Sequence, residues 1–346
     1  MNNNTHLPFM QRCLSLAEKA LGNTHPNPLV GALVVYQNKI IGEGWHQRAG
    51  EAHAEVNAIN RVENASLFPK TTLYVNLEPC SHFGKTPPCA DLIIKSGIKK
   101  VVIASRDPNP QVAGRGIERL KNAGVEVIEN VLKEEAEFLN RRFYTFHQKN
   151  RPYIILKWAQ TEDGFIAPLK KETKQPFWIS NALVKQKVHQ WRSQETSILV
   201  GVQTVVDDNP VLSTREWPGK NPLRLILDPS NRIPKNATVL TDELPTVLLN
   251  QHNPNSISRT QKEHFSLNPF KLEKLMEFSY QRKLLSLFVE GGQKTLNSFI
   301  ESNLWDEARV ITAPSKLIKG VKAPLLNIDF NKEEAVSDNL IRTYFS

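Results

Sequence analysis

The apolar positions of the chain switch repeatedly between a helical and a strand period. Leu7, Met10, Leu14, Leu16, Ala17 and Leu21 recur near the 3.6-residue period, so residues 7–21 are expected to form an amphipathic helix. THPNPLVGALVV then turns through prolines into a β-rich run, and KIIGEGW is a second strand leading into a glycine-rich turn. A helix is expected from about His53 to Arg61, followed by strand TTLYVNLEP, helix PPCADLIIKSG, strand IKKVVIAS, helix GIERLKNAG and strand VEVIEN. This alternation implies a largely parallel sheet sandwiched by helices. Residues 131–150 read as one more helix trailing into a polar, basic segment, and Pro152 resets the chain. The boundary falls there, giving expected domains of 1–147 and 151–346.

The second half opens with an apolar strand (YIILKWAQ) and a turn at Asp163-Gly164. Helix NALVKQKVHQWRSQE and strand TSILVGVQTVV follow, then a loop, DDNPVLSTR, and strands LRLILD and PTVLLN. Residues 251–283 carry no strong period beyond a helix near 271–278. LLSLFVEGG is a buried strand ending in two glycines, QKTLNSFIESN a helix, and LWDEARVITAP the start of another strand. A final strand is expected after the acidic patch NKEEAVSD. No internal repeat or low-complexity tract interrupts the order.

Composition narrows the class. A chain of 346 residues, 40% of them apolar, is long enough for two domains with proper cores. The net charge of +9 is spread without like-charge runs, which suits an enzyme handling phosphorylated ligands and also permits weak nucleic-acid binding. Three cysteines are too few for a disulfide framework. Cys13 lies on the first amphipathic helix and reads as core. The N-terminus shows no basic-then-apolar export pattern, and no apolar run approaches the roughly 20 residues needed to cross a bilayer. A reducing cytoplasm is the expected compartment.

Chemistry concentrates between His53 and Cys89. HAEVNAI is followed by EPCSHFGKTPPC, with 26 residues between His53 and Cys80 and eight between Cys80 and Cys89. One imidazole and two thiolates form the N/S donor set that suits tetrahedral zinc, and three protein ligands leave a fourth position for water. Taken alone, His53 reads as a packed histidine; H-x-E followed by P-C…C reads as the zinc deaminase signature. Zinc with two thiolates sums to about zero charge, so its water needs a nearby base, and Glu55 is the carboxylate placed for it. Nucleobase deaminases usually separate the two cysteines by two residues. Here the longer insertion carries His82 and Lys85. Lys85 is either a solvated lysine or part of a basic loop for a substrate phosphate. Asn27, held between two prolines, is either a turn residue or a reader of a heterocycle edge.

Two stretches of the second half offer further chemistry. Glu290-Gly291-Gly292 runs from a strand into a helix and is either a plain turn or a phosphate site at a helix N-terminus. It lacks the G-x-G-x-x-G of a Rossmann fingerprint. GVQTVVDDNPVLSTR places Thr204, Asp207, Asp208 and Arg215 at one strand end, either as a capped turn or to orient a sugar polyol and its phosphate.

With these residues in order, the chain resembles the bifunctional riboflavin-biosynthesis deaminase–reductases (RibD/RibG family). THPNPLVGALVV, GEGWHQRAGEAHAEVNAI, NLEPCSHFGKTPPC, RDPNPQVAGRG, LKWAQTEDGFIA, GVQTVVDDNPVLSTR and VEGG occur in that family's order over essentially the whole chain. The resemblance implies an α/β protein with a cytidine-deaminase-like three-layer N-terminal domain and a dihydrofolate-reductase-like C-terminal domain. The first would hydrolyse the 2-amino group of 2,5-diamino-6-(5-phosphoribosylamino)pyrimidin-4(3H)-one. The second would reduce the ribose of the resulting uracil to a ribityl chain with NADPH. Carried over by motif, His53, Cys80 and Cys89 bind Zn2+ and Glu55 is the proton shuttle. Asn27, His46, Lys85, Asp107 and Asn109 contact the pyrimidine and its phosphate. Arg192, Asp208, Leu212, Arg215 and Glu290 match substrate positions, the arginines suiting the 5′-phosphate by bidentate pairing. Gln160, Trp178, Thr204, Gly291 and Gly292 match positions contacting NADPH, and Lys157 and Asp208 are candidates for proton donation. The sequence departs from the family at Pro176, at Gln160-Thr161-Glu162 before Asp163-Gly164, and at Gln293-Lys294 after the glycine pair. The implied partners are a phosphorylated pyrimidine and NADPH, without membrane or nucleic acid; a homo-oligomer is allowed. The competing reading is a zinc deaminase acting on a base in RNA, against which stands the lack of a basic stripe with interleaved aromatics. A third reading has only one of the two domains active.

Overall fold

The computed structural model describes residues 5–81, 87–110, 112–170, 177–251 and 262–346. Two compact units are resolved, Met1–Asn150 and Arg151–Ser346.

The first unit is ordered α1 (Leu7–Glu18), β1 (Gly31–Tyr36), β2 (Lys39–Trp45), α2 (Ala54–Ile59), β3 (Thr72–Leu77), α3 (Cys89–Ser96), β4 (Lys100–Ser105), α4 (Arg115–Asn122), β5 (Glu126–Ile128), α5 (Lys133–Leu139) and α6 (Arg141–Lys149). Its sheet runs β2-β1-β3-β4-β5. β3, β4 and β5 are parallel, but β1 is antiparallel to both β2 and β3, which corrects the expectation of a largely parallel sheet. The local cause is Gln37-Asn38: both residues are left-handed, at φ 47° and 61°, and close a tight hairpin that sends β2 straight back along β1.

Alternate strand residues face opposite sides. Val34, Val75, Val101 and Ile103 pack under α2, α3 and α4, while Leu33, Tyr74, Val102 and Ala104 pack under α1 and α5. The result is a three-layer unit. α2 lies almost on the backbone of β2, because a Cβ on Gly42 would stand 2.3 Å from the carbonyl oxygen of Ala58 and one on Gly44 2.5 Å from Cβ of Asn57. The single helix expected over 131–150 is two, broken at Asn140. The buried Asn140 side chain takes the N–H of Leu29 at 2.8 Å and donates to its carbonyl at 2.9 Å, a contact that no local pattern announces.

The second unit contains β6 (Tyr153–Thr161), β7 (Phe165–Ala167), α7 (Ala182–Gln194), β8 (Ser197–Gly201), α8 (Val202–Asp208), β9 (Leu223–Leu227), α9 (Thr238–Thr241), β10 (Thr246–Asn250), β11 (Lys262–Ser266), α10 (Leu272–Gln281), β12 (Ser286–Val289), α11 (Gln293–Glu301), β13 (Glu307–Ala313), β14 (Val321–Lys322), β15 (Lys332–Val336) and β16 (Asn339–Phe345). Nine strands form one sheet in the order β11-β10-β9-β8-β12-β6-β13-β16-β15. It is parallel from β11 to β13 and antiparallel over β16 and β15. Apolar clusters cover both faces.

Three expectations change here. TSILVGVQTVV is not one strand: it stops at Gly201, and Val202 and Val205, three apart, bury one face of α8. KEHFS forms an edge strand, and KEEAV of the acidic patch is itself β15. Both are polar because an edge strand needs a backbone partner on one side more than it needs an apolar face.

Candidate functional site

In the first unit three sequence-distant donors converge at the ends of regular elements. His53 is the N-cap of α2, Cys80 follows the end of β3, and Cys89 is the first residue of α3. Their ligand atoms all lie within 4.8 Å of one another. His53 Nδ1 is 3.2 Å from Cys89 Sγ and 3.6 Å from Cys80 Sγ. Zinc bonds of about 2.0 Å to nitrogen and about 2.3 Å to sulfur, at tetrahedral angles, would separate N and S by about 3.5 Å. The donor set therefore fits zinc in both chemistry and spacing. The N–H of Cys89 donates to Cys80 Sγ at 3.3 Å, and the N–H of Ala90 to the Cys80 carbonyl at 3.1 Å, so the start of α3 stabilises negative charge on that sulfur.

The electrostatics follow from this crowding. A hydrogen bond from the Cys89 thiol, with His53 adding to it, holds Cys80 down at about 4, while Cys89 is pushed up. Contact with Cys80 raises His53. Glu55 is buried, and its carboxyl hydrogen-bonds with Cys89. Burial, then the charge on Cys80, push Glu55 up to about 7. A carboxyl at that value takes and returns protons near neutrality.

Around the donors stand the other residues of this unit. His46 is buried, with its ring edge-on to His53 at 5.5 Å between centroids. Its Nδ1 lies 3.1 Å from the carbonyl oxygen of Ala52, which fixes the proton there and leaves Nε2 to accept from Asn27 Nδ2 at 3.0 Å. Burial lowers the His46 pKa, consistent with a neutral ring. The amide of Asn27 is thereby oriented. Asp107 is also buried and accepts the N–H of Asn109 at 2.8 Å; burial, with Glu78 and Cys80 adding to it, raises Asp107 to about 7. His82 and Lys85 lie outside the described residues.

In the second unit the order of the sheet reverses around β8, β12 and β6, and a crevice beyond the C-terminal ends of such strands is where open α/β sheets hold ligands. β8 ends at Gly201, β12 runs into Glu290-Gly291-Gly292, and α11 starts at Gln293. The N–H of Gly201 donates to the Gly291 carbonyl at 2.9 Å. A Cβ on Gly201 would meet Thr295 Oγ1 at 2.7 Å, and one on Gly292 would meet Thr204 Oγ1 at 3.4 Å. Gly201, Thr204, Gly291, Gly292 and Thr295 thus form a cradle that side chains would fill, at the positive end of α11. That suits the pyrophosphate of a dinucleotide.

Beside the cradle, Glu290 is paired with Arg192, and Lys157 Nζ lies 3.6 Å from Glu290 Oε2. Burial alone would raise Glu290, but Arg192 and Lys157 hold it at about 2; burial lowers Lys157. The remaining sequence candidates are more dispersed. Gln160 Oε1 accepts from the indole of Trp158 at 2.8 Å. Trp178 is exposed, with Lys185 Nζ 4.5 Å from its ring centroid. Asp208 ends α8, and the exposed Arg215 stands 3.8 Å from Glu216. Leu212 has φ 56° and a side chain in the core. Pro176 lies outside the described residues.

Sequence reasoning missed Asn76, Glu78 and Asn140, which bind backbone rather than ligand. The available signal was two polar residues, Asn76 and Glu78, flanking the apolar end of a core strand.

Similarity to known proteins agrees in both units. The cytidine and deoxycytidylate deaminase zinc-binding region matches residues 3–105 and the RibD C-terminal domain residues 152–325. Riboflavin biosynthesis protein RibD of Aquifex aeolicus is 43% identical over 325 residues, covering 92% of this chain and 90% of its own. The Escherichia coli RibD is 36% identical over 340 residues, covering 89% and 88%. Among solved structures, the diaminohydroxyphosphoribosylaminopyrimidine deaminase/5-amino-6-(5-phosphoribosylamino)uracil reductase of Thermotoga maritima superposes with a TM-score of 0.89 at 36% identity, covering 99% of this chain and 98% of that one.

Proposed function

The chain belongs to the RibD family and is a bifunctional riboflavin-biosynthesis enzyme, a zinc-dependent deaminase and an NADPH-dependent reductase; we propose that Met1–Asn150 carries the first activity and Arg151–Ser346 the second. The observation that carries the reading is the convergence of His53, Cys80 and Cys89 beside a buried Glu55, in a chain that also holds the glycine cradle.

For the deaminase, His53, Cys80 and Cys89 hold zinc, which when bound supplies a Lewis acid that acidifies water. Glu55 takes the first proton of the attacking water on its carboxylate and passes it to the pyrimidine ring nitrogen of 2,5-diamino-6-(5-phosphoribosylamino)pyrimidin-4(3H)-one. It then takes the second proton from the newly added hydroxyl and passes it to the amino group, which leaves as ammonia. Asn27, its Nδ2 turned to His46, offers Oδ1 to a donor edge of the heterocycle. Asp107 and Asn109 contact the same substrate, and Lys85 its phosphate.

For the reductase, NADPH when bound would supply the hydride for 5-amino-6-(5-phosphoribosylamino)uracil. Gly291, Gly292, Thr204 and the first amides of α11 hold its pyrophosphate, with Trp178 and Gln160 as further contacts. Glu290, Arg192, Asp208, Arg215 and the main chain at Leu212 bind the ribose phosphate. Lys157 or Asp208 gives the proton that completes reduction. Arg192 is engaged by Glu290, so Arg215 is the arginine with the freer fork for the phosphate.

End-to-end similarity to deaminase–reductases favours this function over editing of a base in RNA. Among the described residues no helix is long and apolar enough to cross a membrane. A reducing cytoplasm suits cysteines that must stay thiolates. The test is the mass of the diaminopyrimidine phosphate after incubation with the protein. A gain of about one mass unit without NADPH reports hydrolytic removal of the amino group, and about two more with NADPH report reduction. No change in either condition would refute the function.

A further inference from the structure

Glu78 follows directly on β3, two residues before the metal donor Cys80, and is 4% exposed. A carboxylate so deep usually answers a cation, yet the four groups bound to it are main-chain amides. Oε2 accepts from the N–H of Asp107 at 3.3 Å and of Gly114 at 3.0 Å. Oε1 accepts from Gly116 at 2.9 Å and Ile117 at 3.3 Å. Asp107 and Gly114 stand near the two ends of the loop that leaves β4 at Ser105 and enters α4 at Arg115, and Gly116 and Ile117 lie in the first turn of α4. One carboxylate therefore pins both ends of the segment that carries Asp107 and Asn109. Gly116 closes the contact: a Cβ there would stand 2.0 Å from the carbonyl oxygen of Pro79. The start of α4 thus lies directly on the peptide between Glu78 and Cys80.

We propose that Glu78 is a positioning residue for the deaminase substrate, setting where Asp107 and Asn109 stand relative to the metal donors through its grip on the loop amides. This rests on the deaminase reading above. The chain enters the donor Cys80 from Pro79, so the side chain that aims the substrate loop and the main chain that aims the sulfur leave from the same strand end. Loosening the loop weakens its hold on the pyrimidine without touching zinc or the shuttle. Charge-assisted hydrogen bonds of this kind are about twice as strong as neutral ones, which suits a loop that must be placed without a regular element to hold it.

The test is Glu78→Gln in the full chain, with Glu78→Asp beside it. Glutamine keeps the shape but turns an NH2 toward one pair of amides; aspartate keeps the charge but is too short to reach both pairs. In Glu78→Gln, zinc stays at about one per chain and the reductase rate on the deaminated intermediate is unchanged. The deaminase KM rises at least tenfold while kcat moves less than threefold. Amide hydrogen exchange speeds up at Asp107, Gly114, Gly116 and Ile117 and not in α3. Glu78→Asp shows the same pattern at smaller amplitude, and it decides the matter if the glutamine variant does not fold. Loss of zinc, a parallel fall in kcat, or an unchanged KM with unchanged exchange overturns the proposal. If the unsubstituted protein released no ammonia, the deaminase reading would fail by itself, whereas accelerated exchange at these amides would still report the grip of Glu78.

Discussion

Arg192 turns Nε and Nη2 onto the two carboxylate oxygens of Glu290, at 2.6 and 2.8 Å, and its Nη1 onto the carbonyl of Ser213 at 3.0 Å. A side chain proposed above to contact the substrate thus also ties the end of β12 to the loop that carries Arg215. Buried pairs of this geometry are costly to break singly, because the remaining charge keeps its burial and loses its partner.

Glu290→Ala leaves Arg192 and Lys157 as two neighbouring buried cations. We expect the second unit to lose about 3–5 kcal/mol of stability, read as a lower urea midpoint of its unfolding transition. Glu290→Gln, which keeps the shape and one acceptor, should cost less while still impairing reduction. Equal midpoints for the unsubstituted protein and Glu290→Ala would show that the pair contributes nothing.

Glu55→Gln removes the proton acceptor without disturbing the donors. Zinc content should stay at about one per chain while ammonia release slows about 10²–10⁴-fold. Reduction of the deaminated intermediate should be unaffected. Full deaminase activity in this variant would exclude Glu55 as the shuttle.

Cys89→Ser takes one sulfur from the donor set. Metal analysis should show zinc falling well below one per chain, with deamination lost and reductase turnover retained. Retention of stoichiometric zinc would mean that the metal is held elsewhere.

His46 fixes the direction of the Asn27 amide, so His46→Leu frees that amide to turn. The deaminase KM should rise about tenfold, equivalent to about 1.4 kcal/mol, with a smaller change in kcat. An unchanged KM would remove Asn27 from the pyrimidine site.

His189 supplies a pH test of the second unit. Its side chain is 2% exposed, its Nδ1 has no hydrogen-bond partner among the described residues, and burial, with Arg192 and Arg215 adding to it, lowers it from 6.5 to about 4. Between those values the unfolded chain binds a proton that the folded one does not, so stability falls as pH drops from 6.5 toward 4. His189→Gln should flatten that part of the curve, read from urea midpoints at pH 7 and pH 5. Parallel curves for the two proteins would contradict the assignment.

The zinc donors were legible because metal chemistry demands particular side chains, and H-x-E with P-C…C places them at the starts of helices and the end of a strand. The strand that begins at Tyr153 and the helices starting at Ala182 and Gln293 were legible because their apolar residues repeat with a period. The edge strands Lys262–Ser266 and Lys332–Val336 were not, since their polar sequences join the sheet through backbone groups that every residue has. Nor was the break at Asn140, whose cause is Leu29, more than a hundred residues upstream.

The amino-acid order by itself determined the donor atoms, the shuttle carboxyl, the glycine turn and the succession of strands and helices, since each depends on residue type or short-range period. Only the tertiary structure decided that Nδ1 of His53 meets the sulfurs, that Glu78 holds loop amides, and that Arg192 is committed to Glu290. Those choices turn on which groups the fold buries together. Burial couples residues far apart in sequence through desolvation and hydrogen bonding, and neither leaves a periodic trace along the chain.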